Sequence, residues 1–203
     1  MLVHVLAAGP SISSYQSVGW PAGIIIGVNG TGLLCSALTA WCAIDPMPQP
    51  VVEWAARWQG QQFCAFENHY QFPNAVPLKH WCSSAGPLCI EDVPKHGFYW
   101  HGSSAMLAAE IARTYYQTET VIVHGLDYNS NQHAYDHLDP SLKRKDSKWN
   151  MPLLEDRWKC IKINYNAMGI RIFNANKKSA LQALPFCDGK TEYLTKLQRT
   201  RAI

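Results

Sequence analysis

Residues 101–128 read "HGSSAMLAAEIARTYYQTETVIVHGLDY" and hold one full repeating unit of the fold. Gly102, Ser103 and Ser104 are small or hydroxyl-bearing residues suited to a helix start. Ala105, Leu107, Ala108, Ile111 and Ala112 then share one helical face. At 119–125 the pattern changes to "ETVIVHG", a β-branched run with little polar alternation. That is how a strand covered on both faces reads. The run stops at Gly125, and a carboxylate, Asp127, follows within two residues.

The same pattern recurs along the chain. "LVHVLAA" (2–8) is stopped by Gly9-Pro10, "GIIIGVN" (23–29) by Gly30-Thr31-Gly32, and "LTAWCAI" (38–44) by Asp45-Pro46. "QQFCAF" (61–66) and "IRIFNA" (170–175) are further strands. Helical spacing marks 50–58, which begins with Pro50, and 152–169, where Gly169 closes the helix. Residues 177–185, "KKSALQALP", read as a short helix stopped by Pro185. The alternation predicts an α/β, three-layer Rossmann-like fold. A mostly parallel sheet with helices on both faces would make one nucleotide-binding domain over 1–203. Periodicity fails at 67–97, an irregular insert rich in proline and aromatics, and at 129–150, a polar excursion or lid.

Composition narrows the function classes. The 203 residues are 47% hydrophobic and 16% charged, which excludes a disordered chain. Eighteen basic residues against fifteen acidic give a net charge of +3, too little to argue for nucleic acid by itself. The basic stretches 142–148 and 196–203 leave that partner weakly supported. Seven cysteines without a C-x-x-C pair indicate neither a disulfide framework nor a redox motif. His80, Cys82, Cys89, Cys64 and His96 lack the ligand spacing of a zinc knuckle. There is no signal-peptide pattern and no apolar run of bilayer length, so a cytoplasmic protein with no membrane partner is expected.

Ligands of such sheets bind outside the carboxyl ends of the strands. Here those ends carry Gly9-Pro10-Ser11, Asn29, Asp45, Gly125 with Asp127, and Asn174 with Asn176. Gly9 permits close approach, Pro10 stiffens the turn, and Ser11 can cap a short helix whose N–H groups then face an anion. The turn lacks the lysine and repeated glycines of a P-loop. Ser103 and Ser104 offer a second phosphate or sugar site. Asp127 can orient a hydroxyl or, with Asp45, hold Mg²⁺. Asn29 and Asn174 can read a base or ribose through paired donor and acceptor groups. Candidates for proton transfer are His133 and His137, beside Tyr128 and Tyr135. The absence of G-x-S-x-G, H-E-x-x-H and H-x-E…P-C-x-x-C removes the serine-hydrolase, metalloprotease and zinc-deaminase readings.

In order, "LAAGPSI", "IIIGVNG", "HGSSAMLAAEIA", "TVIVHGLDY" and "KINYNAMGIRIFNANKKSAL" resemble the Campylobacter-type CMP-sialic-acid-dependent sialyltransferases. They also resemble the related DUF115-like group, which includes phage proteins and an archaeal pterin pyrophosphokinase. The resemblance implies a nucleotide or nucleotide-sugar donor, with a CMP-type ligand possible. It would place Gly9, Pro10 and Ser11 near phosphate and ribose, and Asn29 on the nucleotide. Gly102 and Ser103 would meet nucleotide or sugar, and Gly125, Leu126 and Asp127 the cytosine and ribose. Tyr128 and Tyr135 would assist the leaving phosphate, and Asn174, Asn176 and Ser179 match a late asparagine-containing stretch. The family's catalytic histidine lies in a lid ahead of the late helix. Residues 138–154 contain no histidine, so His133 or His137 would take its place. The expected function is a glycosyl-like transfer to an acceptor. The alternatives are Mg-dependent (pyro)phosphoryl transfer and a non-catalytic nucleotide-binding or protein-interaction factor.

Overall fold

A computed structural model describes residues 1–81, 97–99, 103–129, 132–142 and 150–188. Strands β1 (Leu2–Leu6), β2 (Ile24–Val28), β3 (Ala40–Ala43), β4 (Gln61–Ala65) and β5 (Val76–Leu78) pair in sequence order. Strands β6 (His80–Trp81) and β7 (Phe98–Tyr99) form a separate short parallel pair. Strand β8 (Thr120–His124) lies on the other side of β1, followed by β9 (Arg171–Asn174). The large sheet therefore runs β5-β4-β3-β2-β1-β8-β9, and every pairing in it is parallel. The chain grows one way from β1 as far as β5, then returns to the opposite side. Strand order reverses between β1 and β8, which makes their carboxyl ends the switch point where such sheets hold ligands.

Helices α2 (Gln49–Arg57), α3 (Ser104–Tyr116) and α4 (Met151–Ala167) cover the two faces, and the short α1 (Tyr15–Val18) has no buried residue. Side chains alternate along each strand, so one strand feeds both layers. Val3, Val5, Ala40 and Cys42 join one cluster with Ala108 and Ile111 of α3 and Trp158 and Ile161 of α4. Leu6, Ile25, Trp41 and Ala43 join the opposite cluster with Val51 and Ala55 of α2. The three-layer Rossmann-like reading holds. Helix α3 is buried continuously from Ser104 to Arg113 and lies against β1, β2, β3 and β8. Within this layer Arg113 forms a fully buried fork on Glu110, at 2.7 and 3.1 Å. The Tyr165 hydroxyl of α4 donates to the same carboxylate at 2.7 Å.

Two sequence expectations change. Residues 177–185 do not form a helix; they are turns. The Ser179 hydroxyl donates to the Leu126 and Asp127 carbonyls and accepts from Leu181 N–H, so it competes with helical bonding. Asn174 N–H and Cys187 N–H then tie this segment back to β9. The insert at 67–97 is not wholly irregular, because β5 lies within it. Pro77 is tolerated there because β5 is an edge strand. Residues 82–96 lie outside the described residues, as do Gly102, most of the basic stretch 142–148 and the basic end of the chain. Among the described residues no helix is long and apolar enough to cross a membrane.

Candidate functional site

The switch point is built around one carboxylate. Asp127 is 4% exposed just past β8. Its Oδ2 accepts from Ser11 N–H at 2.7 Å, and its Oδ1 from Ser11 Oγ and Asn176 Nδ2, both at 2.6 Å. All three donors are neutral, and among the described residues no cation pairs with it. Gly9 stands where it does because β1 and β8 converge here. Gly9 N–H donates to the Gly125 carbonyl at 2.9 Å. A Cβ at position 9 would collide with that carbonyl and come within 2.6 Å of Asp127 Oδ2. Gly125 has φ +71°, and a Cβ there would strike the Ala7 carbonyl and Ile12. Both glycines are thus required by close approach, and Gly125 also by its left-handed backbone.

This geometry revises the picture of the Gly9-Pro10-Ser11 turn as a phosphate cradle with free N–H groups. Residues Pro10–Ser14 do form a short 3-10 helix, but Ser11 does not cap it; Gly9 occupies the N-cap. Pro10 has no N–H, Ser11 N–H is bound to Asp127, and Ile12 N–H is bound to the Gly9 carbonyl. The protein's own carboxylate already fills the anion position. What the turn presents outward is acceptor capacity.

On the far side, the segment after β9 clamps the Leu126-Asp127 turn. Asn174 Oδ1 accepts from Asn176 N–H at 3.0 Å, while Asn174 Nδ2 donates to the Leu126 carbonyl at 3.4 Å. Ala180 N–H donates to the Asp127 carbonyl at 2.8 Å. Asn174, Asn176 and Ser179 therefore hold the carboxylate in place from one side, and Ser11 from the other.

The start of α3 forms the next part. Ser103 is the N-cap but makes no side-chain cap bond; its Oγ accepts from the Tyr128 hydroxyl at 2.9 Å. Tyr128 follows Asp127 directly, has φ 53°, and its hydroxyl also accepts from Trp158 Nε1 at 3.4 Å. The α3 N-terminus, adjacent to Ser104, is thereby held beside the end of β8 with its positive dipole end at the carboxyl edge. Over β1 and β2, the segment 132–142 is fixed by Ala134 N–H donating to the Ala8 carbonyl at 2.8 Å. Tyr135 is buried against Gly30, where any Cβ would meet its ring. His133 stacks on Tyr135 at 5.0 Å, and its Nδ1 lies 3.5 Å from Asp136 Oδ1. His137 is exposed. Asn29, with φ 52°, leaves its Oδ1 buried without a hydrogen-bond partner.

Asp45 is not part of this cluster. It is exposed after β3. Strands β3 and β8 are separated by β2 and β1, so their ends lie roughly 14 Å apart at three strand spacings. That span is too wide for Asp45 and Asp127 to share one Mg²⁺. Among the described residues no group of three His, Cys, Asp or Glu forms a metal cluster.

A cleft of about 210 Å³ opens beside Asp127, lined by Ser11, Ser14, Tyr15, His124, Gly125, Ala175 and Asn176. Three of its neighbours escape sequence reasoning. The Tyr15 hydroxyl lies 2.6 Å from His124 Nδ1, and His124 Nε2 lies 2.9 Å from His4 Nδ1. Burial lowers His4 from 6.5 to about 4. Burial, then the neighbouring His4, lowers His124 from 6.5 to about 3. Burial and the nearby Asp188 carboxylate raise Tyr15. All three groups are therefore neutral near pH 7. The signal for them was strand parity: His4 and His124 occupy the same face of β1 and β8, which the register Leu6↔His124 makes neighbours.

No protein-family model matches the chain, and no curated protein matches it in sequence. Its structure is similar to that of the sialyltransferase CstII from Campylobacter jejuni, solved in complex with a substrate analogue, cytidine-5'-monophosphate. The likeness covers 91% of this chain and 84% of that one, with a TM-score of 0.52 and 11% identity. It establishes a shared fold.

Proposed function

We propose that the protein binds a nucleotide or nucleotide-sugar at the β1/β8 switch point and transfers a glycosyl-like group from it to an acceptor. The observation that carries this reading is Asp127: a buried carboxylate held, among the described residues, by neutral donors, at the switch point of a fold shared with a CMP-bound transferase. A carboxylate offers about four lone-pair positions, and three are used here, so one remains on Oδ2. That position suits a ribose hydroxyl. The unpartnered Oδ1 of Asn29 suits an amino group of a base.

The phosphate belongs at the start of α3 rather than on the Gly9-Pro10-Ser11 turn, where it would face Asp127. The first N–H groups of α3 lack a side-chain cap, and the Tyr128–Ser103 pair adds hydroxyls beside them. As the bond from sugar to phosphate breaks, donors fixed there stabilise the charge that develops on the leaving oxygen. His133, facing Asp136, takes the proton from the acceptor hydroxyl; the carboxylate steadies the imidazolium that forms. His137 is solvent-facing, and among the described residues no carboxylate pairs with it.

Calorimetric titration with CMP, UMP, AMP and GMP and with one nucleotide-sugar tests the reading. Binding by at least one member is expected, weakened about tenfold or more in Asp127→Asn with the fold retained. A folded wild-type protein that binds none of them overturns it.

A further inference from the structure

Tyr15, His124 and His4 form a continuous hydrogen-bonded line that starts on the wall of the cleft and runs into the sheet. The two imidazoles are 1% and 2% exposed, so a charge on either is costly. With one proton on each ring, the line has two arrangements. In the first, Tyr15 donates to His124 Nδ1, and His124 Nε2–H donates to His4 Nδ1. Tyr15 then offers only lone pairs to the cleft. In the second, His4 Nδ1–H donates to His124 Nε2, and His124 Nδ1–H donates to Tyr15. The Tyr15 hydroxyl proton is then free to point into the cleft.

We propose that this line is a single tautomerically coupled unit that makes the Tyr15 hydroxyl a reversible donor or acceptor for the ligand in the cleft. Tyr15 touches the ligand, while His124 and His4 are positioning residues. The proposal rests on the nucleotide reading above for the identity of that ligand. Each arrangement holds three protons, one on each residue, so neither places a charge in the sheet. Passing from the first to the second takes one proton in at Tyr15 and releases one from His4 Nε2, with water as carrier at both ends. An oxygen of a phosphate or a carbonyl selects the second arrangement. A ligand N–H or O–H selects the first. The ring of Tyr15 is held independently by stacking on Trp20 at 5.7 Å, so the hydroxyl can be removed without removing the wall. Burial, then the nearby Asp188 carboxylate, disfavours the Tyr15 phenolate and keeps the hydroxyl protonated.

Imidazole ¹⁵N NMR and calorimetry on wild type and Tyr15→Phe, with CMP as the probe, test the proposal. His4 makes no contact with Tyr15 that a phenyl ring would change, so a purely structural Tyr15 leaves its spectrum alone. The coupled line instead predicts that Tyr15→Phe shifts the Nδ1/Nε2 tautomer balance of both His124 and His4. It also predicts that CMP shifts the same two rings in the wild type and binds Tyr15→Phe ~10- to 100-fold more weakly. An unchanged His4 spectrum in Tyr15→Phe overturns the proposal. So does CMP binding of equal strength in the two proteins, and that result leaves the nucleotide reading standing. A wild type that binds no nucleotide, while His4 still responds to Tyr15→Phe, overturns the nucleotide reading and supports the coupling.

Discussion

Two buried carboxylates, Glu110 within α3 and Asp127 just past β8, are satisfied in opposite ways. Glu110, fully buried in α3, has its charge cancelled by the Arg113 fork and a third bond from Tyr165. Asp127, nearly as buried, is met among the described residues by Ser11 and Asn176 alone. The first arrangement is closed: it fastens α3 to α4, pairs the acid with a cation and buries it completely. The second is open, since the negative charge is kept and one acceptor position remains beside a cleft. Burial alone does not mark a site; a charge buried without its counter-charge, at a topological switch point, does.

Removing the counter-charge in the closed cluster breaks the contrast most severely. Arg113→Met should strand Glu110 and cost about 3–5 kcal/mol, read as a fall in the denaturant midpoint. Gly125→Ala forces a side chain onto a φ of +71° and into the Ala7 carbonyl. Its cost should be about 2–3 kcal/mol, with loss of nucleotide binding as Asp127 shifts. Acidification acts next, on the buried histidines. His4 and His124 are held neutral with values lowered from 6.5 to about 4 and about 3. The unfolded chain takes up protons first as pH falls below 6.5. The stabilisation is thus complete above that pH and is lost through the window down to about 4 and 3. Each imidazole contributes at most ~1.4 kcal/mol per pH unit, so about 2 kcal/mol should disappear between pH 7 and 5.5. Unfolding curves across that range should flatten in His124→Gln. Asp127→Asn should cost about 1–2 kcal/mol by thermal melt: the amide oxygen can keep the two bonds accepted by Oδ1, while the amide nitrogen faces the Ser11 N–H donor. His137→Ala, at an exposed position, should change stability by no more than about 0.5 kcal/mol.

The layered fold was legible because covered parallel strands leave uninterrupted apolar runs. "ETVIVHG" at 119–125 became Thr120–His124, and "GIIIGVN" at 23–29 became Ile24–Val28. β5 was hidden because it is three residues long and contains Pro77. The helix expected at 177–185 failed because the Ser179 hydroxyl binds backbone carbonyls that a linear reading cannot locate. At the site, the strand-end rule drew attention to Ser11, Asp127 and Asn176, which the fold brings into direct contact. It did not anticipate that the Ser11 N–H is taken by Asp127, 116 residues away. Tyr15, His124 and His4 were invisible for a related reason. A histidine inside an apolar strand reads as core until β1 and β8 are known to be neighbours.

In the proposed function Asp127 accepts a ribose hydroxyl. Titration of wild type and Asp127→Asn with CMP and with its 2',3'-dideoxy analogue tests it most directly. The wild type should bind CMP about tenfold or more tightly than the dideoxy form, and Asp127→Asn should scarcely distinguish them. Equal affinity of the wild type for the two nucleotides would contradict it.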